Sequence, residues 1–494
     1  MRPAFDFLNL HSLRAASSPA PNGVRPPGAR MAASLAVLLL AACGGGGTSG
    51  DEGLQGGVAT AADGADSVAL AAGSTSSAGT AAELVVMLKS GGSIEALLPR
   101  YRLTLVSQFG ARPIYRLRAA TAAAANQAVQ GLRGETTVKF AERNGSVASP
   151  EARRASVWTV GTAGAGLGTQ YFSDLMALPE AHAVSRGEGV RVAVLDTGVD
   201  LAHPELQARL ARDGAGRVLG RDFVDGDDTP AEVGQPGDPG YGHGTHVAAL
   251  VGVAAPAARL MPVRVLDRAA AGNAWVLAEA LAWAVDPDRN PATDDGAHVI
   301  NLSLGSTTPT DLLKTITELV TCEVDDDDDD YNQPGFAPDF ARCAAGRRAV
   351  VVAAAGNSGS DQEMLYPAAE QAKGAIAVTA STAARQLASF ANWGSWIQIA
   401  APGDQIVSAV PGGGYGTWSG TSMAAPLVAG TAALVMSTLP ENGNPALQRA
   451  AQWVPEFVVK RLTDRPIKLC GTSFLQVHAA AAVTDTPAAD PACP

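Results

Sequence analysis

The chain has 494 residues, 47% of them hydrophobic and 17% charged, and a formal net charge of −12. That balance suits a chain that buries a sizeable core and excludes an intrinsically disordered protein. The acidic excess, part of it in the single run Asp325 to Asp330, excludes a nucleic-acid binder, which would need a basic patch.

Residues 1–43 read as a secretory signal. The apolar stretch "MAASLAVLLLAAC" follows Arg2, Arg14, Arg25 and Arg30 and is too short to span a bilayer as a mature helix. Its end, Leu40-Ala41-Ala42-Cys43 followed by glycines, resembles the bacterial lipoprotein cleavage box, which implies lipidation of Cys43. An ordinary signal cut near Ala42 is the alternative. The remaining cysteines, Cys322, Cys343, Cys470 and Cys493, are even in number and lack the close spacing of a zinc or redox motif. Cys322 with Cys343 and Cys470 with Cys493 are the sequence-local pairs; other pairings and free thiols stay open.

Residues 44–80, rich in Gly, Ala, Ser and Thr, read as a flexible tether. Residues 81–148 change character. "ELVVMLK" is strand-like, Ile94 to Leu98 helical, "YRLTLVSQF" and "RPIYRLRA" strand-like, Ala119 to Leu132 helical and "TVKFAE" strand-like. That order is βαββαβ, the pattern of a small ferredoxin-like domain.

After "SPEARRAS", residues 149–484 alternate buried-strand and helix signals. "VRVAVLDTGVD", "LMPVRVLD", "HVINLSLG" and "RAVVVAAAGN" are apolar runs ending in turns, with helical stretches such as Val276 to Val285 between them. The expected fold class is α/β, a three-layer sandwich around a mainly parallel sheet. In such sheets sites form at the carboxyl ends of the strands. An acidic insertion near 321–343 reads as a solvated surface loop, and 485–494 as a disordered tail.

Asp196 closes the run "VAVLD" at a strand end, where a lone Asp is otherwise a turn cap. His243, in "GHGTHVAALVGV", stands at a helix start, which disfavours its charged form and suits a general base. His246 shares that helical face; no carboxylate ligand follows at helical spacing, so it reads as structural and not as a metal ligand. Ser422, in "GTWSGTSMAAPLVAGTAALV", begins a run of small residues, where oriented helix amides stabilise charge developing near its hydroxyl.

Together, in the order Asp, His, Ser, the motifs "VAVLDTGVD", "GHGTHVA" and "GTSMAAPLVAG" resemble the subtilisin-like serine proteases. The chain order Asp, His, Ser is itself characteristic of that family and is part of the resemblance. The resemblance runs from about Gln170 to about Val483, and "VKFAERNGSV" is similar to the close of that family's inhibitory propeptide; on pattern alone the small domain could equally be an independent binding module. The resemblance implies that Ser422 is the nucleophile, His243 the base, Asp196 the orienter and Asn357 an oxyanion donor. It also implies that Ser303, Leu304 and Gly305 form a substrate-pairing edge. Leu365 lies where the specificity pocket would be, with Asp361 and Glu363 nearby as the alternative that favours a basic side chain. The chemistry requires no cofactor. Asp222, Asp225, Asp227 and Thr229 have oxygen-ligand spacing that suits a structural Ca²⁺; a polar loop with self-capping Asp side chains is the alternative.

The expected protein is an exported, envelope-anchored or extracellular monomer that cleaves polypeptide substrates. Its own propeptide is the intramolecular inhibitor, and its only membrane contact is the lipid anchor. A catalytically silent surface-binding protein on the same fold is the competing reading; it predicts a lost triad or oxyanion residue, and none is lost. An α/β-hydrolase esterase would need a GxSxG turn and a different residue order. One departure from the family pattern is Ala249, where glycine is usual.

Overall fold

The computed structural model of the chain describes residues 80–153, 159–161, 167–290, 293–324, 329–439 and 454–493. The secretory segment with Cys43, nearly all of the tether, and Asp325 to Asp328 lie outside them. Among the described residues no helix is long and apolar enough to cross a membrane.

The N-terminal part follows the expected order. Strand β1 (Glu83–Leu88), helix α1 (Ile94–Tyr101), strands β2 (Thr104–Gln108) and β3 (Ile114–Arg118), helix α2 (Ala122–Leu132) and strand β4 (Val138–Arg143) form an antiparallel sheet ordered β2-β3-β1-β4. Both helices start at a hydroxyl cap: Ser93 accepts from the Ala96 amide and Thr121 from the Ala124 amide. Strand β1 is buried on both faces, and side-chain alternation divides them. Leu84, Val86 and Leu88 join a core with Leu97, Val129 and Leu132, while Val85 and Met87 join the core of the larger unit with Trp275 and Leu312.

The larger unit contains strands β5 (Ser146–Ala148), β6 (Thr159–Gly161), β7 (Arg191–Asp196), β8 (Arg221–Asp222), β9 (Arg259–Arg264), β10 (Ala271–Asn273), β11 (Val299–Leu302), β12 (Val350–Ala354), β13 (Ala375–Ser381), β14 (Ile399–Pro402), β15 (Ile406–Val410), β16 (Gly414–Trp418), β17 (Ile467–Lys468) and β18 (Leu475–Gln476). The helices that position the site are α3 (His243–Ala254), α4 (Ala274–Val285), α5 (Asp311–Thr321) and α6 (Thr421–Ser437). The main sheet runs β17-β18-β14-β13-β12-β11-β7-β9-β8, and every pair is parallel except β17 with β18.

Its strands are apolar on both faces because both are covered. Val192, Val194, Val350 and Val352 pack with the residues of α3 and α6, and Ala193, Leu195, Val351 and Ala353 with those of α4 and α5. Chain order reverses about β7, with β9 on one side and β11 on the other, which makes the carboxyl ends of β7 and β11 the switch point where such folds place a site. Ala249 lies buried in the α3–α6 layer, its methyl absorbed.

The small domain docks on α4 and α5 and caps both. Glu142 accepts from Thr310 Oγ1 at 2.7 Å and from the Asp311 and Leu312 amides at 2.8 and 3.2 Å, and Asn144 Oδ1 accepts from the Trp275 amide at 3.1 Å. The described part of the acidic insertion departs from the expected solvated loop. Asp330 pairs with Lys139 at 2.9 Å and Asp339 holds Arg112 through two hydrogen bonds, so these acids meet cations of the small domain. Disulfides join Cys322 to Cys343, at the base of that insertion, and Cys470 to Cys493.

Helices α3 and α6 are in close contact at Gly430, where an added Cβ would lie 2.4 Å from Ala254 Cβ. We expect Gly430→Val to lower stability by about 1–3 kcal/mol through overpacking, outweighing the few tenths that leaving glycine gains in a helix. Urea unfolding of the full chain in a Ser422→Ala background measures it.

Candidate active site

Asp196 is the last residue of β7, and Thr197 N donates to its Oδ1 at 2.7 Å. The same oxygen accepts from His243 Nδ1, also at 2.7 Å, from the first residue of α3. Ser422 lies in the first turn of α6, where backbone N–H groups have no intrahelical acceptor. Asn357 follows β12. Its Oδ1 accepts from the Thr421 amide and hydroxyl, each at 2.9 Å, which fixes the amide flip and aims Nδ2 toward Ser422.

An interior proline helps to tie these elements together. Pro426 has no N–H to give the Ser422 carbonyl, its helical i−4 acceptor. That carbonyl accepts instead from Ser303 Oγ at 2.9 Å, and Ser303 Oγ in turn accepts from Asn301 Nδ2 at 3.0 Å. The end of β11 is thereby bonded to the start of α6.

The catalytic groups converge on a residue that sequence reasoning did not single out. Glu151, in a short 3₁₀ turn after β5, is buried. Its Oε2 accepts from Ser422 Oγ at 2.7 Å and from His243 Nε2 at 3.1 Å, and its Oε1 accepts from Asn357 Nδ2 at 2.7 Å. Burial alone would raise the Glu151 carboxyl, but the His243 hydrogen bond and charge, helped by Ser422 and Asn357, outweigh it and leave the group below its ordinary value.

The expectation of a readily neutral His243 is overturned in this state. Burial would lower its pKa and so would the helix start, yet the charge and hydrogen bond of Asp196, joined by Glu151, push it up to about 10. His243 is held between two carboxylates, which favour its protonated form. His246 behaves as the structural histidine expected. Its Nε2 lies 3.2 Å from the Ile406 and Gly416 carbonyls, its ring stacks on Trp418, and burial drives it down to about 3.

A second carboxylate absent from the sequence reading is Glu232. It accepts from Thr197 Oγ1 at 2.6 Å, the Gly242 amide at 3.0 Å, the Thr245 amide at 3.1 Å and Thr245 Oγ1, joining the turn after Asp196 to the start of α3. Burial pushes it to about 7. Nothing in its local sequence, "TPAEVGQ", marked it.

The proposed substrate edge divides. Gly305 exchanges two backbone hydrogen bonds with Ala148, Ser303 serves the Ser422 carbonyl, and Leu304 turns into the core. A cavity of about 170 Å³ beside Asn357 is lined by Pro150, Thr307, Gly356, Ser358, Glu363, Leu365 and Asn392. Leu365 and Glu363 therefore both reach it, and Asp361 does not line it.

The Ca²⁺ donor set does not fit as arranged. Arg264 Nη1 stands 2.7 Å from Asp222 and 2.5 Å from Asp225, and Asp227 Oδ1 caps the Thr229 amide at 2.7 Å. A guanidinium already neutralises two of the four residues, and a third closes its own turn. A separate acidic trio, Asp286, Asp288 and Asp295, is partly exposed and brings its carboxylates within 4.8 Å of one another.

A histidine whose folded pKa exceeds its unfolded value of about 6.5 stabilises the fold fully below that pH and loses the contribution as pH rises through the folded value. The unfolding midpoint of the Ser422→Ala chain should therefore exceed that of Ser422→Ala/His243→Gln most near pH 6, and the gap should narrow toward pH 10. A gap independent of pH would contradict the imidazolium.

Comparison with known proteins agrees with this geometry. The Subtilase family matches residues 187–462, more than half of the chain, a span that contains Asp196, His243, Ser303, Asn357 and Ser422. Thermitase of Thermoactinomyces vulgaris is 35% identical over 279 residues, 54% of this chain and 82% of that protein. Subtilisin of Bacillus pumilus is 36% identical over 267 residues, 51% of this chain and 79% of that protein. The thermophilic serine proteinase of Bacillus sp. (strain AK1) is 36% identical over 281 residues, 55% of this chain, which spans 58% of that relative's length. The chain belongs to the subtilase family.

Proposed function

We propose that the protein is a serine endopeptidase that hydrolyses polypeptides through an acyl-enzyme on Ser422, and that it is made as a self-inhibited, self-processing precursor. The observation that carries this reading is a stretch of polypeptide already laid in the groove. Residues 145–149 run antiparallel between two edges, with the Ala274 amide bonded to the Gly145 carbonyl, β5 paired with β10, and Ala148 exchanging hydrogen bonds with Gly305. Strand addition of this kind binds backbone and so accepts varied sequences.

In the open site Ser422 Oγ would attack the carbonyl carbon while His243 Nε2 takes its proton. Asp196 would hold the Nδ1–H tautomer, and the imidazolium formed would then protonate the leaving amine. Asn357 Nδ2 and the Ser422 N–H would receive the oxyanion. His243 must first lose its proton, which requires that Glu151 leave. No metal enters any step.

The small domain, residues 81–148, acts as the inhibitor; its caps on α4 and α5 and its salt bridges to the insertion hold the strand in place. Export follows from residues 1–43, with Cys43 as the lipid attachment point. The silent-binding alternative predicts a lost triad or oxyanion residue, and Asp196, His243, Asn357 and Ser422 are all present in the sequence.

Expressed wild type should mature to a form whose N-terminus lies between about Gly145 and Thr159, while Ser422→Ala stays full length. Asn357→Ala should process and turn over peptide with kcat reduced about 10²- to 10³-fold and KM little changed. N-terminal sequencing and peptide-library cleavage read both. A full-length wild type that is fully active, or an Asn357→Ala chain at wild-type kcat, would contradict the reading.

A further inference from the structure

We propose that the catalytic centre is a binding site for a side-chain carboxylate and that Glu151 is its resident ligand, so that residues 146–151 occupy the groove as an inhibitor and not as a substrate. This rests on the reading of Ser422 as the nucleophile.

Three donors from three separate elements converge on one carboxylate: Ser422 Oγ, His243 Nε2 and Asn357 Nδ2, at 2.7, 3.1 and 2.7 Å. The space for it comes from Gly420, where an added Cβ would lie 1.9 Å from Glu151 Oε1 and 3.0 Å from Asn357 Nδ2. The oxygen on Asn357 takes the place of an oxyanion, and the other lies between nucleophile and base, as in an acid product that has not departed. Each group is occupied by the role it plays: the serine O–H donates its hydrogen bond to the carboxylate, and His243 Nε2 donates to the same oxygen in place of accepting from the serine.

The backbone register explains why a side chain and not a peptide carbonyl fills the site. Ala148 lies opposite Gly305 in an antiparallel pairing, so Pro150 falls opposite Ser303. Proline has no N–H to give the Ser303 carbonyl, so this rung of the pairing is missing; Ser422 Oγ, whose one proton points to Glu151, lies 3.2 Å from that carbonyl. Pairing with this edge therefore ends at Ala148, three residues before Glu151, the chain turns into the 3₁₀ segment Pro150–Arg153, and the Glu151 side chain enters the centre. A carboxylate there is an anion and resists nucleophilic attack.

The rate at which a fluorophosphonate labels the full-length band tests this, with wild type, Glu151→Gln, Glu151→Asp and Glu151→Ala compared on gels that separate full-length from shortened chains. Full-length Glu151→Gln and Glu151→Ala should label about tenfold or more faster than full-length wild type, the loss of charge-assisted hydrogen bonds to one ligand, with Glu151→Asp between them. Added acetate should slow labelling of Glu151→Ala in a saturable way and leave wild type unchanged. Equal labelling of all full-length chains overturns the proposal, and so does faster labelling that acetate does not reverse, because a merely structural role would not respond to a free carboxylate. If rates are equal while shortened wild type labels, only the carboxylate ligand is refuted. If no band of any length takes label, the nucleophile reading falls with it.

Discussion

The contact between α3 and α6 sets the separation of His243 from Ser422, and the rest of the site is arranged around that separation. Both residues sit in the first turn of their helices, and the helices are locked farther along where Gly430 meets Ala254. Small residues are needed there because packed interiors leave no slack for an extra methyl. The run that follows Ser422, with Ala424, Ala425, Ala429, Gly430, Ala432 and Ala433, is thus a spacing device for chemistry as well as a buried helix. The sheet supplies the other reference points, with Asp196, Ser303 and Asn357 at or just past the carboxyl ends of β7, β11 and β12.

The parts of this arrangement legible in the sequence are those whose physics is local. Asp196 ends a strand, His243 begins a helix, Ser422 lies in the first turn of another and Asn357 lies just past a strand, each with glycine close by in the sequence. The order of strands and helices in the small domain followed from hydrophobic period, and the alternation in β1 even carries its two-sided burial. The sequence-local cysteine pairs are the ones that form.

What was not legible depends on partners far along the chain. Glu151 lies 92 residues from His243, 206 from Asn357 and 271 from Ser422, so nothing near "SPEARRAS" announces its position. The charge on His243 is illegible for the same reason: a helix start alone favours the neutral ring, and two carboxylates brought in by the fold reverse that. Arg264 in the turn of Asp222 and Asp225 likewise converts an apparent cation cage into an ion pair. The insertion looked solvated because six adjacent aspartates repel one another, yet Asp330 and Asp339 have Lys139 and Arg112 waiting across the interface.

A site whose base is protonated and whose oxyanion pocket is filled is consistent with a protease that must not act where it is made. Burying His243 between Asp196 and Glu151 is tolerable only because every oxygen of Glu151 has a donor, and removing one partner would leave an uncompensated charge. On the proposed reading, the electrostatics that would stabilise a transition state here would also hold a latent form closed. The most direct measurement is trapping of the acyl-enzyme: the processed form is quenched in acid during turnover of a peptide ester and its fragments are weighed by mass spectrometry. One acyl group per chain, on the fragment that contains Ser422 and absent from Ser422→Ala, is the predicted result; turnover without an adduct on that fragment, or an adduct elsewhere, would contradict it.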